Sequence, residues 1–168
     1  MKNFLIATLS CGIMLFTACN ADTPSNASVT ESDSSNSSSA VINSDISIES
    51  LCETVLNSVE FPAMSRVEMA EMLDMIMDFS KYGIDEYSVY QQVMSVHLCE
   101  VIIVRTSNVD DTLNALEGRK NVLINQLAFY PEQQQSAQNT VVGSKNGICY
   151  LIAHADAKTA EKALLQKI

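Results

Sequence analysis

Three methionines, Met69, Met72 and Met75, recur at i, i+3 and i+6 in the middle of the chain. On a helix that spacing brings thioethers to one side, where they would suit a soft ion such as Cu(I). Methionine is also the usual filler of irregular core gaps. Met69 and Met72 share a period with Leu73 and Ile76, so core packing is the first expectation for them. Met75 and Met77 fall at the edges of that stripe and are the candidates for a partner-binding surface. His97 and Cys99 lie two apart on a strand-like segment and share a face, whereas Cys149 and His154 lie five apart and face opposite ways. That removes the simplest four-ligand zinc arrangement and leaves only a three-ligand site from His97, Cys99 and one further group. No cofactor is expected.

Enzymes bring a nucleophile, a base and an orienting group within reach of one another. The chain has two histidines and lacks HExxH, G-x-S-x-G and a Gly-rich phosphate loop. The acidic pair Asp110-Asp111 is explained by the start of a helix, where carboxylates oppose the dipole. A non-enzymatic role is expected, with copper binding through thioethers as one alternative and a small cell-wall hydrolase as another.

The five cysteines divide by position. Leu15-Phe16-Thr17-Ala18-Cys19 closes an apolar run, residues 4–16, that follows the basic Lys2. Such a run is too short to span a bilayer and has the layout of a cleavable signal segment. It resembles the lipobox of bacterial lipoproteins, in which the chain is cut before the cysteine and the thiol carries a diacylglyceryl group. Cys11 is a poor rival, with only residues 4–9 as an apolar run before it. On this reading residues 1–18 are a signal peptide and Cys19 is the lipidation site. Two acyl chains suffice for stable anchoring, each buried methylene contributing about 0.8 kcal/mol. Cys52, Cys99 and Cys149 then remain, an odd number that allows at most one disulfide. All three fall among apolar residues, where free cysteine packs as a small hydrophobe. Three buried free thiols are the first expectation; a Cys99–Cys149 cross-strand disulfide is the alternative, should their strands be neighbours.

Charge narrows the partners. The chain holds 10 basic and 20 acidic residues, and losing Lys2 leaves nine basic, a net charge of −11. Nucleic acid demands basic neutralisation and is excluded as a partner. Residues 20–46 are rich in Ser, Asn, Thr and Asp, with Ser34-Ser35-Asn36-Ser37-Ser38-Ser39 at the centre. They offer too little apolar area to offset the entropy of ordering a backbone, so a flexible tether is expected. As a random coil it reaches roughly 30 Å.

The elements that position these residues occupy residues 47–168, enough for one domain. Ile48, Leu51, Cys52, Val55, Leu56 and Val59 mark an amphipathic helix that Phe61-Pro62 ends. Ser65-Arg66-Val67-Glu68 reads as a capping box that opens a second helix, to about Phe79. Residues 87–94 and 99–105 read as strands, the second a central one because Val101-Ile102-Ile103-Val104 is apolar throughout. Asn108 is placed to cap a long helix to about Phe129, in which Gly118 has no evident reason. Tyr130-Pro131-Glu132-Gln133 stops it and begins a polar connection. Residues 140–142 and 148–153 read as a hairpin around Gly143-Ser144-Lys145-Asn146-Gly147, in which Asn146-Gly147 is the turn signal, and Asp156 is placed to cap a last helix. The order α-α-β-β-α-β-β-α predicts an α+β fold: a two-layer sandwich whose four-stranded, mostly antiparallel sheet carries helices on one face.

Tyr82-Gly83-Ile84-Asp85, the segment Tyr90-Gln91-Gln92-Val93-Met94-Ser95, Glu100-Val101-Ile102-Ile103-Val104, Tyr130-Pro131-Glu132-Gln133, and Gly147 with Tyr150 follow one another in an order and spacing that resemble the DUF4358 family. This is a domain of unknown function found mostly in lipoproteins of Firmicutes. The resemblance spans roughly residues 47–168 and implies a Gram-positive cell surface. It carries over no catalytic residue. The expectation is a membrane-tethered extracytoplasmic domain that binds another envelope protein or a glycan.

Overall fold

The computed structural model describes residues 46–168, the side chain of Asp85 excepted. The signal segment, Cys11, the lipidation site Cys19 and the tether up to residue 45 lie outside the described residues. The elements run α1 (Ile48–Leu56), β1 (Met64–Arg66), α2 (Ala70–Ile76), β2 (Ile84–Gln92), β3 (Glu100–Thr106), α3 (Val109–Val122), α4 (Pro131–Gln138), β4 (Val141–Lys145), β5 (Ile148–Ala153) and α5 (Ala157–Lys167). Beyond Val122, α3 widens into a π-helical turn, Leu123–Leu127.

The strands form one antiparallel sheet in the order β1-β2-β3-β5-β4. The α+β class therefore stands, with five strands where the sequence predicts four. Helices cover both faces rather than one. Val101, Ile103 and Ile152 pack with Ile48, Leu51 and Val55 of α1 and with Ala160 and Leu164 of α5. Ile102, Val104 and Leu151 pack with Leu73 of α2, Leu116 of α3 and Leu123. The layers number three. The reason is the uninterrupted run Val101-Ile102-Ile103-Val104: a strand apolar at every position must be buried on both sides.

Ser65 does not cap a helix. Met64, Ser65 and Arg66 pair with Gln92, Gln91 and Tyr90 as an edge strand, and the Val67 N–H donates to the Val89 carbonyl at 2.8 Å. Sheet hydrogen bonds and burial of Val67 outweigh the local capping signal. The helix that follows is consequently only two turns long and touches the core through Leu73 and Ile76. Met69 and Met72, expected in the core, are left exposed at 61% and 38%. Met77, expected at the surface, is 6% exposed, because it lies past the helix end in extended backbone that turns it inward.

The polar connection expected after Tyr130 is α4. Pro131 sits at its first position, where the missing N–H is no loss, so the proline starts a helix as well as stopping one. The hairpin forms with a shorter turn than expected, because Gly143, Ser144 and Lys145 pair with Tyr150, Cys149 and Ile148 as part of β4. Asn146 (φ 53°) and Gly147 (φ 76°) both take the left-handed backbone that a two-residue turn requires.

Candidate functional site

The two ends of the sheet are built differently. At one end the chain joins the domain. The Arg105 guanidinium donates to the Ile46 carbonyl, and Glu86 takes the Ile48 N–H at 3.4 Å and Arg105 Nε at 3.2 Å. At the other end, the β2–β3 connection (residues 93–99) faces the junction between the π-helical turn and α4, and a cleft of about 330 Å³ lies there.

Its floor is a buried ion pair. Arg119 Nε and Nη2 donate to the two carboxylate oxygens of Glu100 at 2.8 and 2.7 Å, joining α3 to β3. Gln91 Nε2 donates to the same carboxylate at 2.6 Å. A charge this deep is tolerated only when paired and hydrogen-bonded, and here each partner satisfies the other. Leu98, Leu123 and Leu127 supply apolar wall, and Phe129 and Tyr130 form one lip.

Gln133 holds the lips at a fixed spacing. It is 3% exposed, and its Oε1 accepts the N–H groups of Phe129 and Tyr130 at 2.9 and 3.1 Å. Its Nε2 donates to the carbonyls of Ser95 and Val96 at 2.8 and 3.3 Å. As the third residue of α4 it reaches back to the helix start, as in half of a capping box, and forward to the opposite loop. Around the cleft Val93, Met94, Val96, Leu127, Phe129 and Tyr130 all stand exposed, Phe129 at 74%. Residues 91–99 contain no Asp, Glu, Lys or Arg, and residues 121–138 contain only Glu132.

A neighbouring cavity of about 400 Å³ gathers His97, Cys99 and His154 with Glu60 and Glu132. Both His154 ring nitrogens are occupied: Nδ1 accepts the Asp156 N–H at 2.9 Å, and Nε2 donates to the Glu60 carbonyl at 3.2 Å. Burial pushes the Cys99 thiol up to about 11, so it stays protonated. Neither group serves as a free base or a thiolate. Among the described residues no three His, Cys, Asp or Glu side chains are grouped to hold a metal ion.

Cys52, Cys99 and Cys149 are free and buried. The strands of Cys99 and Cys149 are neighbours, but the disulfide alternative fails on register. Cys149 pairs with Val104, while Cys99 precedes the Glu100–Ala153 pair at the far end. Five residues of strand separate them, about 17 Å at 3.4 Å per residue, against the roughly 7 Å that a disulfide spans between Cα atoms. Met69, Met72 and Met75 lie within or beside α2, with Met75 exposed at 73%. Of the two surface candidates, only Met75 is at the surface. Sequence reasoning did not single out Arg119, Gln133, Leu127 or Phe129 as site residues; the signal that could have pointed to the last three is the stretch nearly free of charge, residues 121–138.

A family model described as a domain of unknown function (DUF4358) matches residues 57–154. The matched span contains the whole lining of the cleft. No curated protein and no solved structure matches the chain.

Proposed function

Since the chain belongs to the DUF4358 family, which prescribes no activity, we propose from its own residues that it is a non-enzymatic binding module, lipid-anchored through Cys19 on the extracytoplasmic face of the membrane. The tether, residues 20–46, lets the domain turn and reach a neighbour in the envelope, a protein or a glycan. One observation carries the binding reading. The apolar rim of Val93, Met94, Val96, Leu127, Phe129 and Tyr130 is exposed at the end of the sheet opposite Ile46, where the chain joins. Clustered apolar side chains left in water are uncommon on a monomer and mark interaction sites.

The test places a benzophenone amino acid at position 129 of the membrane-anchored chain and irradiates intact cells. The expected result is a discrete adduct that Leu127→Glu abolishes and that a benzophenone at Lys158 does not form. Adducts insensitive to Leu127→Glu, or equal at both positions, would overturn the binding reading. The anchor is tested separately: Cys19→Ser should end incorporation of labelled fatty acid and release the chain from the membrane.

The exposure of Met69, Met72 and Met75 favours a second reading, a thioether copper site, because it removes core packing as their task for the first two. It requires stoichiometric Cu(I) uptake that is lost when all three become leucine.

A further inference from the structure

Resting on the binding reading of the cleft, we infer that its occupant is one uncharged, bulky side chain, aromatic or aliphatic, presented by a protein partner. The floor decides the charge. Glu100 and Arg119 close on each other, with Gln91 added, so the cleft has no surplus charge to meet an ionic ligand. A charged group entering would be buried unpaired or would have to break that pair, and both are costly.

The walls decide the size and polarity. Leu98, Leu123, Leu127 and Phe129 form the apolar side of a cleft of about 330 Å³ whose lining also holds Gln92, Ser95, His97 and Tyr130. That volume is the low end for ligand pockets and room for one large side chain. A sugar ring would need several side-chain hydrogen-bond partners. Of the three amides in the lining, Gln133 uses both ends on lip backbone, the Gln91 donor is spent on Glu100, and Gln92 Oε1 takes the Cys99 N–H. The rim decides the class of macromolecule. Methionine, aromatic and aliphatic residues without charge compose the centre of protein–protein interfaces, with an anchor side chain seated in a pocket and a rim that excludes water. The rim has no lysine or arginine to meet an anionic bilayer. Because Gln133 fixes the lip spacing before the partner arrives, little ordering remains to oppose binding.

The experiment uses the lipid-free mature chain obtained with Cys19→Ser, carrying methyl-labelled methionine. It is titrated with the N-acetyl amides of phenylalanine, leucine, lysine and aspartate, and with an N-acetylglucosamine oligomer. The expected result is a saturable millimolar shift of the rim Met94 methyl with the phenylalanine and leucine amides alone, weakened about tenfold or more by Leu127→Ala. The buried Met77 methyl reports that the variant remains folded. Equal response to the charged amides, or response to the oligosaccharide alone, overturns the side-chain inference while leaving a binding cleft in place. No response to any probe also overturns it, and the benzophenone adduct at position 129 then decides the binding reading by itself.

Discussion

Tyr150 lies across Gly143. The two are register partners between β5 and β4, and a Cβ added at Gly143 would stand 2.7 Å from the ring carbon that bears the hydroxyl. The hydroxyl donates to Glu161 Oε1 at 2.8 Å, tying β5 to α5 across the glycine. Burial, followed by this hydrogen bond, raises the tyrosine's pKa. Gly143→Ala should therefore destabilise the domain by about 1–3 kcal/mol, the usual range for overpacking. Tyr150→Phe should cost about 1 kcal/mol, the worth of the hydrogen bond. Urea midpoints measure both, and a Gly143→Ala midpoint at the parent value would show that the ring yields freely.

The Glu100–Arg119 pair predicts a non-additive result. Arg119→Met strands a buried carboxylate and should destabilise by about 3–5 kcal/mol, as should Glu100→Met in the reverse sense. Replacing both should recover most of that loss, because an apolar pair of similar volume needs no partner in so dry a site. A double-mutant cycle measures the coupling; single variants that each cost under about 1 kcal/mol would mean that water reaches the pair.

What was legible in the sequence follows the range of the forces involved. Asn146-Gly147 dictates its turn through two backbone angles, and Val101-Ile102-Ile103-Val104 announces a central strand through hydropathy alone. That same run implied burial on both faces, a consequence the single-sided sheet prediction overlooked. Ser65 and Pro131 carry helix-end signals that apply in more than one context, and sheet pairing decided the first against a helix. The cleft was illegible because its parts meet only in three dimensions: Glu100 and Arg119 are 19 positions apart, and Gln133 is 38 from Ser95. Nothing in a single sequence announces such pairings. Two stretches nearly free of charge, residues 91–99 and 121–138, coincide with the lips, but nothing in them says that they face each other.

Gly118, without a reason in the sequence, also lacks a packing reason. It is exposed in the middle of α3, and a Cβ built there meets nothing within 4 Å. Gly118→Ala should raise stability by about 1 kcal/mol through helix propensity and a less flexible unfolded chain. Thermal unfolding reads it directly, and a midpoint at or below the parent's would mean that the glycine serves something besides the helix.

The three buried thiols give the domain an alkaline limit. Burial pushes Cys52 up to about 12, and Cys99 and Cys149 up to about 11, from an ordinary value of 9.0. At pH 8 a chain with Cys11 and Cys19 replaced by serine should leave a thiol-specific disulfide reagent unreacted, then release three equivalents on denaturation. The sign of the pH effect follows from linkage. Below pH 9 thiols are protonated in both states and this contribution to stability is complete. As pH rises, the unfolded chain loses these protons first, so stability falls from about 9 through 11–12. Tyr90, raised to about 12 chiefly by its hydrogen bond to Glu49, adds to the decline at its upper end. Cys149→Ala should make the loss between pH 9 and 11 shallower, whatever it does to stability at pH 7. Fast labelling of any of the three in the native state, or an unchanged slope in that variant, would show that the thiol in question is open to solvent.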